Sequence, residues 1–222
     1  MNNSAVVFAN GDLLNVASLA ARIQPDDLLV AVDGGLRHIA GMGRIPDVLI
    51  GDLDSVAPED VAGSRLAGCE VIRFPPQKDK TDLELAVDLV LERGFTNLVI
   101  VGATGGRLDH TLGNLYLLMR PDLVSLDVRL DDGVQEVMLV RSSLCIQGQP
   151  GDIVSLIPLT ARVEGVCTRG LQYPLDDEIL YQYATRGISN VMMTSDADLR
   201  IGSGLLLGVH TRQPEKGEDK ND

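Results

Sequence analysis

The sequence predicts an α/β fold: an N-terminal α/β domain with a parallel sheet, followed by a C-terminal all-β sandwich domain. Residues 4–130 alternate short apolar runs with amphipathic segments, as in parallel βαβ units. After Asp131 the segments become short, β-rich and separated by turn residues. We therefore expect domains at 1–131 and 132–212, and a disordered tail at 213–222, which has no apolar residue.

Six apolar runs mark the strands of the first domain. They are Ala5–Phe8, Leu28–Val32, Val48–Ile50, Val71–Phe74, Leu98–Val101 and Leu123–Leu130. The clearest helix is Thr81–Arg93, where apolar residues recur at helical spacing. Thr81 and Glu84 form a capping-box signature at its start, and Gly94 is a stop signal at its end.

Short β-rich stretches predict the strands of the second domain. They are Gln135–Val140, Asp152–Ile157, Ile188–Thr194, Leu199–Ile201 and Leu205–Val209. Aromatic residues make up only 3% of the 222 residues, with no Trp. Aliphatic side chains must therefore supply most of both cores.

The charge balance limits the classes of partner. With 19 basic and 32 acidic residues the net charge is -13, which repels nucleic-acid phosphates, so we expect no nucleic-acid partner. An anionic substrate would need divalent cations to bridge it to the carboxylates.

No stretch approaches the roughly 18 apolar residues of a membrane span, and three widely spaced cysteines without a CxxC pair predict free thiols. We expect a cytoplasmic protein without a membrane partner.

Polar and glycine-rich segments follow the predicted strands of the first domain, at the edge where parallel sheets bind ligands. These segments are Asn10–Asp12, Asp33–Gly35, Gly51–Ser55, Gln77–Asp82 and Gly102–Asp109. Each also has a purely structural interpretation, because Asp-Gly pairs form turns and a Thr-Asp pair can cap a helix. Their convergence on one edge favours a functional site.

Asp52 and Asp54 follow a buried strand and are two residues apart, the arrangement of a chelating pair for a hard cation. Turn formation is the alternative. The Gly102–Gly106 segment lacks the order of the dinucleotide and P-loop fingerprints. A glycine-rich turn followed by Arg107 still offers backbone N–H groups and a forked cation to phosphate, unless it is an ordinary flexible turn. Of the histidines, only His110 is expected to approach the site.

Taken in order, these motifs resemble those of the thiamine pyrophosphokinase family. The first domain carries DGG at 33–35, GDLDS at 51–55, KDKTD at 78–82 and GATGGRLDH at 102–110. The second carries VSLIPL at 154–159, GLQYPL at 170–175 and GISN at 187–190. The resemblance spans nearly the whole chain. It implies a homodimeric enzyme that transfers the pyrophosphoryl group of ATP to the hydroxyl of thiamine, giving thiamine diphosphate and AMP.

The resemblance also implies roles for individual residues. Mg²⁺ would be held by Asp52, Asp54 and Asp82. The other residues expected around ATP are Asp33, Gly34, Lys78, Thr81, Gly105, Gly106, Arg107 and Asp109, of which Arg107 and Asp109 would share in catalysis with the three metal ligands. Thiamine would lie near Tyr173, Ser189 and Asn190, at a pocket to which both chains of the dimer contribute. Many relatives have Trp where this chain has Tyr173.

Several alternatives remain open from the sequence. The same donor chemistry would serve another carbinol, such as a hydroxymethyl pterin. The segment Asp52–Val56 also fits the D-x-D-x-[TV] pattern of haloacid-dehalogenase-type phosphatases, and D-x-D pairs occur in glycosyltransferases. A third class is a non-catalytic sensor of nucleotide or thiamine. The phosphatase and glycosyltransferase interpretations leave the motifs at 78–82 and 105–109 unexplained.

Overall fold

The computed structural model describes residues 3–53 and 68–214. The chain divides into two compact units, Met1–Gly133 and Val134–Asp222.

Parallel strands of one sheet form the centre of the first unit in the residues that the structure describes. Its strands are β1 (Ser4–Phe8), β2 (Leu28–Val32), β3 (Val48–Gly51), β4 (Glu70–Arg73), β5 (Asn97–Val101) and β6 (Asp127–Asp131). They lie in the order β6-β5-β1-β2-β3-β4, and every neighbouring pair is parallel. The strands β1, β2 and β3 are almost wholly buried because helices cover both faces of such sheets. The predicted parallel α/β architecture is confirmed.

The helices of this unit, within the ranges that the structure describes, are α1 (Val16–Ala20), α2 (Leu36–Gly41), α3 (Asp82–Glu92) and α4 (Leu108–Leu117). The predicted helix corresponds to α3, which buries one apolar face. Thr81 is its N-cap, since its hydroxyl accepts the N–H of Glu84 at 3.2 Å. Gly94 follows its end with a φ of +76°, a conformation that glycine adopts at little cost.

The last predicted strand of this unit, Leu123–Leu130, is placed differently by the structure. Pro121–Leu123 forms a 3-10 turn, and β6 begins only at Asp127. Leu123 is buried, so its apolar character reflects the packing of the turn. Proline at the first position of the turn explains why the chain starts a helical turn there.

The second unit is a β-sandwich, as predicted. Its strands are β7 (Gln135–Val140), β8 (Ser143–Gln147), β9 (Ile153–Pro158), β10 (Arg162–Arg169), β11 (Glu178–Tyr181), β12 (Asn190–Val191), β13 (Asp196–Arg200) and β14 (Leu206–Thr211). The orders β12-β9-β14-β7 and β11-β10-β13-β8 define two antiparallel sheets. Aliphatic side chains and Met residues from both sheets form one core.

Three of these strands, β8, β10 and β11, were not predicted. Each mixes buried residues with exposed ones, because one face of an antiparallel sheet can remain in water. In β11 the exposed residues are Ile179 and Tyr181. The predicted stretch Ile188–Thr194 contributes only the two-residue strand β12. Gln213, assigned to the tail by sequence, is instead bonded to the sandwich, since its N–H donates to Asp152 at 2.8 Å. Residues 215–222 of the tail lie outside the described residues.

No helix in the described part of the chain is long and apolar enough to cross a membrane. The three cysteines, Cys69, Cys145 and Cys167, are free thiols, as predicted.

Candidate active site

A cleft of about 510 Å³ opens in the first unit at the carboxyl ends of β1, β2 and β5. Such a volume is typical of pockets for small ligands. The predicted residues Asp33, Thr81, Asp82 and Arg107 line it, with Gly105 and Gly106. The rest of the lining comes from Ala9, Asn10, Gly11, Asp12, Val32, Leu83, Gly102, Ala103, Thr104, His110 and Asn114.

Asp33 is the half-buried carboxylate at the end of β2. Its φ of +45° is unusual for a residue other than glycine. One carboxylate oxygen accepts the N–H of Leu53 at 3.2 Å. A Cβ on Gly51 would lie 1.7 Å from the same oxygen, so only glycine fits beside this carboxylate. The local backbone thus brings the segment after β3, including Asp52, next to Asp33.

The pKa of Asp33 is raised to about 6. Burial is the main cause, and the negative charges of Asp82 and Asp52 add to it, whereas the Leu53 N–H and Lys78 act in the opposite direction. Three carboxylates therefore share one region of negative potential. A carboxylate perturbed by burial and by like charges inside a cleft is a typical feature of functional sites.

Lys78 balances part of this negative charge. Its Nζ lies 2.6 Å from Oδ1 of Asp82, and both side chains are less than one-fifth exposed. The ammonium also lies 5.9 Å from the centre of the Phe74 ring, within reach of a cation–π contact. Asp82 is the first residue of α3, so the start of that helix, which favours negative charge, faces the same cleft.

A metal site is not defined by the described residues alone. Within 3–53 and 68–214, no group of three His, Cys, Asp or Glu side chains is placed to hold a metal ion. Asp54, one half of the predicted chelating pair, lies outside the described residues. Asp52 is described and contributes negative charge at Asp33.

The glycine-rich loop between β5 and α4 depends on backbone conformations that glycine adopts readily. Gly102, Gly105 and Gly106 have φ values of +64°, +88° and +63°. A Cβ on Gly105 would lie 2.5 Å from a carboxylate oxygen of Asp12. The loop can therefore present its main chain to a ligand in the cleft, as glycine-rich loops do for phosphates.

Arg107 and Asp109 form an ion pair with each other. Nη2 of Arg107 lies 2.6 Å from Oδ2 of Asp109, and Nε lies 3.2 Å from Oδ1. The pairing lowers the pKa of Asp109 and raises that of Arg107. Both side chains are about two-thirds exposed. The sequence suggested that each residue contributes separately to the site. The structure instead pairs the two side chains with each other, and only Arg107 is part of the cleft lining.

Lys78, Asp52 and Gly34 are also outside the lining of the cleft. Gly34 packs against Asn10, since a Cβ on Gly34 would lie 2.6 Å from that side chain. Asn10, Asp12 and Thr104 also line the cleft; the sequence placed their segments at this edge but gave these residues no role, and it did not predict Asn114. The sequence does contain a signal for Asn114. It follows Arg107 by seven residues and His110 by four, so helical spacing places it on the same face as those two residues.

Hydrogen bonds join the predicted acceptor residues Asn190 and Tyr173 in the second unit, and Ser189 directly precedes Asn190. Tyr173 is 64% exposed, so its ring is not part of the sandwich core. Asn190 is buried, and its side chain accepts the N–H of Tyr173 at 3.0 Å and donates to the carbonyl of Tyr173 at 2.7 Å. Ser189 has a φ of +58°, and its N–H donates to the hydroxyl of Ser155. Asn190 thus holds the backbone that carries the exposed ring.

Comparison with known proteins gives matches over both units. A family model described as "Thiamin pyrophosphokinase, catalytic domain" matches residues 19–139, and one described as "vitamin B1 binding domain" of the same family matches 143–206. Thiamine pyrophosphokinase of Bacillus subtilis is 28% identical, over 92% of this chain and 97% of that protein. Thiamine pyrophosphokinase 3 of Oryza sativa subsp. japonica is 32% identical, over 69% of this chain and 64% of that protein.

Solved structures give the same result. The crystal structure of thiamine pyrophosphokinase from Bacillus subtilis has a TM-score of 0.84 at 26% identity, covering 95% of this chain and 100% of that chain. The enzyme from Geobacillus thermodenitrificans has a TM-score of 0.80 at 26% identity, covering 95% of this chain and 99% of that chain. Because the catalytic-domain model alone matches more than half of its residues, the chain belongs to the thiamin pyrophosphokinase family.

Proposed function

We propose that the protein transfers the pyrophosphoryl group of ATP to the hydroxyl of thiamine, giving thiamine diphosphate and AMP. The observation that carries the proposal is the cleft of the first unit, which is lined by Asp33, Asp82 and a glycine-rich loop within the residues matched by the catalytic-domain model. Lys78 is paired with Asp82 beside it. The name of a relative that covers most of the chain, thiamine pyrophosphokinase, supports the same acceptor and the same transferred group.

The chemistry requires little covalent work from the protein. The acceptor hydroxyl gives its proton to a carboxylate of the site and its oxygen attacks the β-phosphorus in line. The bond between that phosphorus and the oxygen bridging to the α-phosphorus breaks, and AMP leaves. Catalysis then depends on positioning and on neutralising phosphate oxygens. The main-chain N–H groups of Gly105 and Gly106, the N-terminal end of α3 and the ammonium of Lys78 are suited to that task. Arg107 would exchange Asp109 for a phosphate oxygen.

We assign Mg²⁺ to Asp52, Asp54 and Asp82, with Asp33 beside them. The donor set fits this ion, since carboxylate oxygens are the ligands that Mg²⁺ prefers. Burial and two like charges raise the pKa of Asp33. A bound cation would offset the repulsion between these carboxylates. Bound there, Mg²⁺ would neutralise phosphate charge and bridge ATP to an acidic protein.

We place the acceptor against the exposed ring of Tyr173, because an aromatic ring can pack on an aromatic, cationic substrate. Ser189 and Asn190 shape the backbone around that ring.

We further propose that the protein is a homodimer whose acceptor pocket combines both chains, as the family resemblance implies. Cytoplasmic residence is supported by the proposed use of ATP and by the three free thiols.

Incubation with ATP, Mg²⁺ and thiamine tests the proposal, with AMP and thiamine diphosphate as the expected products. Release of inorganic phosphate would favour a phosphatase, and binding without turnover a sensor. A parallel screen of other carbinols, scored by AMP formation, tests the acceptor. Sedimentation tests the dimer, and a fully active monomer would contradict it.

A further inference from the structure

The loop after β5 is joined to the loop after β1 through their main chains. The N–H of Gly11 donates to the carbonyl of Gly102 at 2.8 Å, and the N–H of Asp12 donates to the carbonyl of Thr104 at 3.2 Å. A Cβ on Gly11 would lie 2.3 Å and 2.4 Å from those two carbonyl oxygens. Only glycine at this position allows the two loops to approach so closely.

Asn114 binds the carbonyl that lies between these two. Its side-chain Nδ2 donates to the carbonyl of Ala103 at 2.7 Å, so three consecutive carbonyls of the loop are engaged. Because peptide units are planar and trans, the N–H of each unit points away from its bonded carbonyl. Among the described residues, no hydrogen bond occupies the N–H of Thr104 or Gly105, and both residues line the cleft.

Two side chains of α2 hold the loop after β1 from its other side. Nη2 of Arg37 donates to the carbonyls of Asn10 and Gly11 at 2.9 Å and 3.2 Å. Nε2 of His38 lies 2.9 Å from the same Gly11 carbonyl. Neither side chain is part of the cleft lining. The connection therefore runs from α2 through the first loop to the glycine-rich loop.

We propose that Asn114 and Arg37 are positioning residues for phosphate binding: Asn114 fixes the central peptide of the glycine-rich loop directly, and Arg37 supports it through the loop after β1. Their effect is to keep the N–H groups of Thr104 and Gly105 directed into the cleft toward ATP phosphate oxygens. This inference rests on the proposed use of ATP by the same cleft.

The test uses Asn114→Leu, which keeps the size of the side chain and adds no charge but removes the donor opposite the Ala103 carbonyl. Calorimetry without acceptor should show ATP binding weakened about tenfold, the effect of losing one hydrogen bond to a partly buried carbonyl. Thr111→Ala, on the same helix but outside the cleft lining, should bind ATP like the unmodified protein. The amide NMR signals of Thr104 and Gly105 should shift in free Asn114→Leu.

Arg37→Ala provides the second arm and decides the matter if Asn114→Leu does not fold. It should weaken ATP binding by a few-fold, although Arg37 does not line the cleft. Unchanged ATP affinity in either folded variant would overturn the proposal. Weaker binding by Asn114→Leu with unmoved amide signals would overturn it too, since Asn114 would then contact ATP itself. Failure of the proposed function is distinguishable, because it appears in the unmodified protein as absence of AMP formation.

Discussion

The two units place acidic residues in opposite kinds of surroundings. In the second unit, the wholly buried Asp152 accepts His210 Nε2 at 2.8 Å and the N–H groups of Gln149 and Gln213 at 3.0 Å and 2.8 Å. In the cleft of the first unit, Asp33 accepts one N–H and lies in the field of two further carboxylates.

The pKa values follow this difference. Burial alone would raise the pKa of Asp152, but the N–H of Gln213, His210 and the N–H of Gln149 together hold it below its ordinary value. Burial alone would lower the pKa of His210, but Glu136 and Asp152 raise it. The pKa of Asp33 instead rises to about 6. A carboxylate with complete internal partners serves the fold, whereas one with like-charged neighbours is suited to an external cation.

The largest expected effect is on catalysis in the first unit. Asp52→Asn should reduce turnover by about 100-fold or more, because it removes charge from the proposed metal and phosphate site. The melting temperature should change little. Asp122→Asn, which alters an exposed carboxylate of the same unit, is the control and should retain activity. Near-normal Mg²⁺-dependent turnover by Asp52→Asn would remove the metal assignment.

The next prediction compares the stability of the two units. Asp152→Ala should lower the free energy of unfolding by about 3 kcal/mol, because it leaves Nε2 of the buried His210 without its hydrogen-bond partner. Asp33→Asn should leave stability unchanged or slightly higher, since it removes a charge that burial and two neighbours disfavour. Urea unfolding followed by tyrosine fluorescence is suitable, because three of the four tyrosines lie in the second unit. Equal losses of unfolding free energy in both variants would contradict the proposed difference between Asp152 and Asp33.

A smaller effect is expected at Tyr173. Tyr173→Ala should weaken thiamine binding by about 0.5–2 kcal/mol, the range of aromatic and cation–π contacts, with little change in ATP affinity. Tyr173→Phe should behave like the unmodified protein, because the ring is retained. Thiamine and ATP kinetics, with melting temperatures, provide the measurement. A loss of stability without a selective thiamine defect would count against contact with the acceptor.

The most gradual effect is the dependence of stability on pH. The folded-state pKa of His210 is raised above 6.5, so its stabilising effect is complete below that pH and is lost as the pH rises through the raised value. Asp152 has a lowered pKa, so its effect is present above pH 3.8 and is lost as the pH falls further.

Asp33 provides the contrast within the same titration. Its raised pKa means that stability is lost between pH 3.8 and about 6, as the buried carboxyl ionises. Asp33→Asn should flatten the stability curve in that range and leave the fall above pH 6.5 unchanged. His210→Gln should do the reverse. Urea unfolding at stepped pH measures both, and a variant that flattens the other's range would show that the assignment is wrong.

The sequence by itself determined the parallel sheet, the helix α3 and the edge of the sheet where the cleft lies. Strands buried on both faces are continuous apolar runs, and α3 carries its cap and its stop signal in neighbouring residues. These features depend on local contacts and on periodicity, which a single sequence contains. The same reasoning places Asp33 and Asp82 at the edge that forms the cleft.

Only the tertiary structure decided which side chains are already paired. Asp152 is bound to His210, Asn190 to the backbone of Tyr173, and Asn114 to the loop after β5. Strands such as β10 were missed for a related reason, since their outward residues are polar and their pairing is long-range. Residue type states what a side chain can bind, but packing of distant segments determines which of its possible partners lies within reach.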